Sequence, residues 1–269
     1  MALFAAGVLA LWTAGCDNRP TYPKDHLAQT TTQLLHQEGL DASVRYIEHT
    51  LGVQASAAGV LTREGEHAGL GPNFDDVTRK ILGVVHRVLL SSDAPVDFYV
   101  LLLSDPDAPG LYLTIVRYMD DVRRANANMI DVPEMFSRTV FELNASPTTL
   151  TISEYIPRDI TLQEFLSWQI ARRIQLALAE EFQGSGSIDV GRCGGRFQDR
   201  EFLVTLNVLP LGESALDEST LQKIFTTSTG VAAKVLNSYQ FSGFDSLRLV
   251  HGQTGVNRVL PRARLEIFR

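Results

Sequence analysis

Cysteine is scarce in this chain. Cys16 and Cys193 are the only two in 269 residues, so a fold stapled by several disulfides is excluded. Dense basic clusters are also missing. Twenty-four Lys and Arg stand against 31 Asp and Glu, for a formal charge of −7, and Arg123-Arg124 and Arg172-Arg173 are short pairs in mixed sequence. Nucleic-acid binding needs a basic face that displaces counterions from phosphates, and this composition argues against it. After residue 16 no run is apolar for the eighteen or so residues that a membrane-spanning helix needs. The familiar catalytic signatures are missing too: there is no G-x-S-x-G elbow, P-loop, G-x-G-x-x-G turn or cofactor lysine motif, and no cofactor is implied.

What is present is 45% hydrophobic and 20% charged residues, the composition of a globular protein long enough for one large or two small domains. At the start, Ala2 to Trp12 form a short apolar run, long enough for the core of a signal peptide and too short for a comfortable span. The run ends Thr13-Ala14-Gly15-Cys16 and is followed by Asp17, Asn18 and Arg19.

Those residues resemble the lipobox of bacterial lipoproteins, in which small residues precede a cysteine that is lipidated and becomes the new N-terminus. Thr13 stands where members most often carry Leu; Ala14, Gly15 and Cys16 follow the pattern. The resemblance covers about the first nineteen residues, and it implies a lipoprotein signal over 1–15, acylation such as palmitate on Cys16 and a periplasm-facing place in the cell envelope. Several acyl chains, at about 0.8 kcal/mol per buried methylene, give lasting attachment where one would not. In proteobacteria that sort lipoproteins, an Asp after the lipidated cysteine resembles the signal for retention at the inner membrane, the role implied for Asp17. The other readings of the stretch are a plain secretory signal and a poorly packed N-terminal helix whose cysteine is accidental.

Residues 16–25 carry two prolines and read as a tether. The remainder reads as α+β, with helices on one face of mainly antiparallel sheets. An N-terminal region spans 26–183, a Gly-rich linker or loop 184–197, and a C-terminal β-α-β-β region 198–269. Helices are expected over 27–37, 40–51, 75–90, 161–182 and 218–239, the fourth opened by a capping box of Thr161 and Glu164. Strands are expected near 59–63, 97–103, 111–118, 139–143, 148–154 and 201–208, then in "SLRLVHG" and "RARLEIF". The first half repeats the order of the second, with Asp75 matching Asp217 and Asp97 matching Asp245. Two related units and coincidence both account for matches so few.

Candidate chemistry is thin. The six histidines do not pair at helical spacing, so no zinc motif is present. Glu64, Glu66 and His67 share one loop and form a weak candidate cation site, against a solvated loop as the plainer reading. "DPDAPG" has the look of a calcium loop but carries Pro109 and Val116 where oxygen ligands belong, and reads as a turn. His86, amid apolar residues, reads as a hydrogen-bonded or rim histidine. Cys193 lies between Arg192 and Arg196, cations that would favour a reactive thiolate. The leading expectation is a lipid-anchored envelope protein with a non-catalytic binding or assembly role toward a protein partner. A membrane-tethered periplasmic hydrolase and a small-ligand or lipid carrier with an apolar cavity are the rivals.

Overall fold

The computed structural model describes residues 21–65, 67–145, 151–155, 158–184, 186–211 and 216–266; the Cys16 and Asp17 segment lies outside them. The fold is α+β, with sheets that are mostly antiparallel. Helix α1 (Leu27–Gln37) leads into a hairpin of β1 (Asp41–Ile47) and β2 (Thr50–Ser56), where a helix over 40–51 was expected. The spacing of Leu40, Val44, Ile47 and Leu51 mimics a helix, but two effects decide for strands. Val44, Tyr46, Ile47, Thr50 and Val53 are β-branched or aromatic. The turn puts Glu48 at φ 47°, a left-handed conformation that stops a helix. Alternate residues Leu51, Val53 and Ala55 then enter the core.

The Gly-rich stretch that follows is a small hairpin of β3 (Leu61–Glu64) and β4 (His67–Leu70). Helix α2 (Phe74–Leu90) carries Asp75 and Asp76 in its first turn, where the helix dipole favours carboxylates, and buries Ile81, Val84, Val85 and Val88. Strands β5 (Phe98–Ser104) and β6 (Leu111–Tyr118) form the expected hairpin. Asp105 in its turn accepts from the Asp107 and Leu61 backbone N–H groups, which accounts for the acidic residue without calcium. Two short helices, α3 (Met119–Asn126) and α4 (Val132–Ser137), precede β7 (Val140–Ala145). The strand expected over 148–154 is corrected where it is described: Ile152–Tyr155 is a helical turn, α5, and residues 146–150 lie outside the described residues.

Helix α6 (Leu162–Glu181) opens with the capping box of Thr161 and Glu164. The stretch read as a loop over 184–197 holds β8 (Ile188–Val190) and most of β9 (Gly194–Gln198). Then come β10 (Glu201–Leu206), β11 (Val208–Pro210), α7 (Glu218–Ser238), β12 (Ser246–His251) and β13 (Asn257–Pro261). In "RARLEIF" the strand expectation is corrected where residues are described: Arg262–Leu265 form α8, because Pro261 ends the ladder and presets the chain for a helical turn.

One plan occurs twice. The first sheet runs β1-β2-β5-β6-β7 and the second β9-β10-β12-β13. In each, a hairpin is followed by a crossover helix and a second hairpin, so that the central pair, β2 with β5 and β10 with β12, is parallel. Helices α1 and α6 precede the two units, and α3 and α8 follow them. The paired aspartates make the same backbone bonds. Asp97 N–H donates to the His49 carbonyl and Asp245 N–H to that of Arg200; the Asp97 carbonyl accepts from Met119 N–H and the Asp245 carbonyl from Arg262 N–H. The repeated unit is therefore larger than β-α-β-β, and its first strand pair is β1-β2 rather than the stretch at 59–63.

Sheet one is covered on both faces. Tyr99, Leu101 and Leu103 of β5 join a core with α1 and α2, whereas Phe98, Val100 and Leu102 point the other way, into a core shared with α6, α7 and the second sheet. Phe98 meets Phe165 of α6 at 5.4 Å between ring centroids. On the far side of α6 the backbone of β9 comes so close that a Cβ on Gly195 would lie 2.0 Å from the Ser167 carbonyl oxygen. Glycine there is a packing requirement. A polar staple completes the joint: Asp121 of α3 accepts from buried Arg138 at 2.9 Å and from the Tyr239 hydroxyl at the end of α7, and Gln169 of α6 donates to Tyr239. Burial holds the Asp121 carboxyl above its ordinary range in spite of these donors, and burial with the nearby Asp121 charge pushes Tyr239 up.

Candidate ligand-binding groove

Residues singled out in the sequence do not assemble into one site. Glu64 and His67 are backbone partners at the tip of the β3-β4 hairpin, and His67 is exposed; the Glu64 side chain and Glu66 lie outside the described residues. Cys193 is 3% exposed, and burial pushes its thiol up, the reverse of the depression expected from flanking arginines. Arg192 is occupied elsewhere, donating to Glu142 and Asn144 of β7. His86 does make a hydrogen bond, described below.

One cluster that local spacing could not show brings Glu48, His49 and Asp159 together, their ligand atoms all within 4.8 Å. Its bonds describe a turn clamp. Asp159 accepts from His49 N–H at 3.2 Å and Thr50 Oγ1 at 2.6 Å and pairs with His49 Nδ1 at 3.1 Å, fixing the β1-β2 turn against the start of α6.

An apolar cavity lies elsewhere, on the α2 side of sheet one. Helix α2 reaches β5 through His86 and Tyr99, and Phe74 at its start meets Phe141 of β7 edge to face, 6.1 Å between ring centroids. A groove of about 310 Å³ lies between α2, β6, β7 and α4, at the lower end of the roughly 300–1,000 Å³ typical of small-molecule sites. Phe74 and Leu82 of α2, Ile115 of β6, Phe136 of α4 and Phe141 of β7 give it apolar walls. Phe136 is 59% exposed, a large ring left at the rim of an apolar surface.

Its floor is charged. Arg117 is 5% exposed, yet among the described residues no carboxylate lies within ion-pairing distance of it. Nε donates to Thr139 Oγ1 at 3.1 Å and Nη1 to Tyr99 Oη at 3.2 Å, and the guanidinium lies 5.3 Å from the centre of the Phe136 ring. All three partners are neutral. A guanidinium has five N–H donors, so these two bonds leave three. Thr78 of α2, 9% exposed, is a lining residue of the same groove, and its buried hydroxyl has no partner. Burying a cation without a counter-charge costs several kcal/mol, and native interiors seldom carry one without a use for it.

Behind Arg117 the bonds run in one direction. Tyr99 Oη accepts from the guanidinium and lies 2.8 Å from His86 Nε2, where a neutral His86 ring with its proton on Nδ1 accepts the phenol proton. Burial first, and repulsion from Arg117 second, hold His86 down at about 4; burial pushes Tyr99 up to about 12. At neutral pH the buried charge of this chain of groups is that of Arg117 alone.

No protein-family model, curated protein or solved structure matches the chain. Fold and groove together define a mixed α+β protein with a preformed apolar cleft over a buried cation.

His86 makes a pH test. The unfolded chain takes up this proton near pH 6.5 and the folded chain only near 4, so across that window the folded state binds fewer protons and stability falls with pH, by up to about 3 kcal/mol. His86→Gln keeps an acceptor for Tyr99 and is expected to flatten that part of the curve in urea unfolding from pH 7 to 4. An unchanged slope would show that His86 is not the group responsible.

Proposed function

We propose that this chain is a lipid-anchored protein of the bacterial cell envelope with a non-catalytic binding role, and that the groove over Arg117 is its binding face. The anchor rests on the lipobox-like Thr13-Cys16 stretch, with Asp17 as a conditional inner-membrane retention signal. The binding role rests on one observation: a buried guanidinium with three free donors at the foot of an apolar cleft. The partner presents an apolar group and brings an anion to Arg117.

A hydrolase reading has less support. His86, the histidine nearest the groove, is held neutral and turned to Tyr99, and the Glu48, His49 and Asp159 cluster is engaged in holding a turn. Neither offers a base beside an activated nucleophile.

Replacing Arg117 separates a binding role from a structural one. Its hydrogen-bond partners each keep another bond, Tyr99 to His86 and Thr139 to the Met135 carbonyl, so Arg117→Met strands no polar group and removes the cost of a buried charge. The variant is expected to unfold within about 1 kcal/mol of the parent, or to be more stable. A loss of about 3–5 kcal/mol, the penalty for breaking a compensated buried charge, would assign Arg117 to the framework and remove the groove as the binding face. For the anchor, Cys16→Ser is expected to abolish incorporation of a fatty-acid probe in cells; continued labelling would overturn it.

A further inference from the structure

The groove narrows the ligand to one chemical class. The guanidinium is a planar fork suited to a two-oxygen anion, and three of its N–H groups are unused. Its charge is single. Of the charged groups at the lining, Arg79 is exposed and shares Asp76 with Lys80, at 2.8 and 3.0 Å, and Asp75 presents an exposed carboxylate at the edge. A dianion such as a phosphate monoester would meet one buried cation and that carboxylate, whereas a carboxylate monoanion is matched one to one. Above the fork the walls are Phe74, Leu82, Ile115 and Phe141, so the remainder of the ligand is apolar. A cavity of about 310 Å³ admits a molecule of modest length; a folded domain could insert only a side chain or a chain end.

We propose that the groove between α2 and the β6-β7 pair binds a small monocarboxylic acid with an alkyl or aryl tail, the carboxylate on Arg117 and the tail laid against Phe74, Leu82 and Phe141. The assignment rests on the reading of this groove as the binding face and adds the ligand class to it. Phe136, stacked near the guanidinium and exposed on its outer side, excludes water from the ion pair once a tail lies against it, and a charge-assisted bond gains strength as water leaves.

The test is calorimetric titration of the full chain with octanoate, octan-1-ol, octylamine and octyl phosphate, and with a short peptide ending in Phe with a free carboxylate. Octanoate is expected to bind at least about tenfold more tightly than the alcohol or the amine. Arg117→Met should erase that preference while leaving the alcohol unchanged. Leu82→Trp, which keeps Arg117 and fills the groove, should weaken octanoate about tenfold or more. Equal binding of octanoate and octan-1-ol, or octanoate affinity unchanged in either variant, overturns the proposal. So does tighter binding of octyl phosphate, which would make the ligand a phosphate ester, or of the peptide, which would make it a protein C-terminus. If Arg117→Met is as stable as the parent and octanoate does not bind, the ligand class fails and the binding face stands; if Arg117→Met loses the stability of a framework residue, the binding face itself fails.

Discussion

The structure depends on a strand that is buried on both faces. β5 sends Phe98, Val100 and Leu102 into one core and Tyr99, Leu101 and Leu103 into another, so the two α+β units share a wall. Six consecutive residues out of water bind the molecule together: each large apolar side chain contributes about 1.5–3 kcal/mol by burial, and none can be made polar without cost to one core or the other. Strands with two buried faces read as continuous apolar runs, and "FYVLLL" is such a run.

Tyr99 is the exception in that strand, and the groove follows from it. A phenol in an apolar core needs partners for its oxygen and its proton. It takes the first from Arg117, its neighbour across the β5-β6 ladder, and the second from His86 on the helix above. This arrangement fixes the guanidinium at the foot of the cleft and holds His86 neutral, with no acidic residue among those described to cancel the charge. The binding role proposed for the groove has the ligand supply the counter-charge. Asp121 with Arg138 shows the contrasting solution in the same molecule: there the buried cation has an internal carboxylate, and the pair serves to join α3 to α7.

Much of the framework was legible where periodicity is long and unambiguous. α2, α6 and α7 carry sustained apolar stripes with acidic or capping residues at their starts, and the β5-β6 hairpin is two strong strands around a Pro-Gly turn. The failures share a cause: short segments in which tertiary pairing overrides local pattern. Leu40, Val44, Ile47 and Leu51 have helical spacing and form a hairpin; "RARLEIF" alternates like a strand and starts a helical turn; "GRCGGRF" looks like a flexible loop and is an edge strand whose glycine lets it touch α6. The internal repeat was visible in the element order and in a few matched residues, of which Asp97 and Asp245 make equivalent backbone bonds, whereas Asp217 caps α7 and Asp75 lies inside α2. The groove was not legible at all. Phe74, Arg117, Phe136 and Phe141 come from four elements, and an arginine inside an apolar strand pattern gives no sign of whether an acid awaits it; the one signal was its place at an inward position of "LYLTIVRY".

The central claim is that the charge of Arg117 is compensated from outside the protein, and arginine side-chain NMR of the full chain addresses it most directly. The account predicts that the Arg117 guanidinium resonances, held by Tyr99 and Thr139, respond to octanoate at concentrations at which formate, the same anion without a tail, leaves them in place. A response to neither anion would contradict it, and an equal response to both would remove the apolar tail from the account.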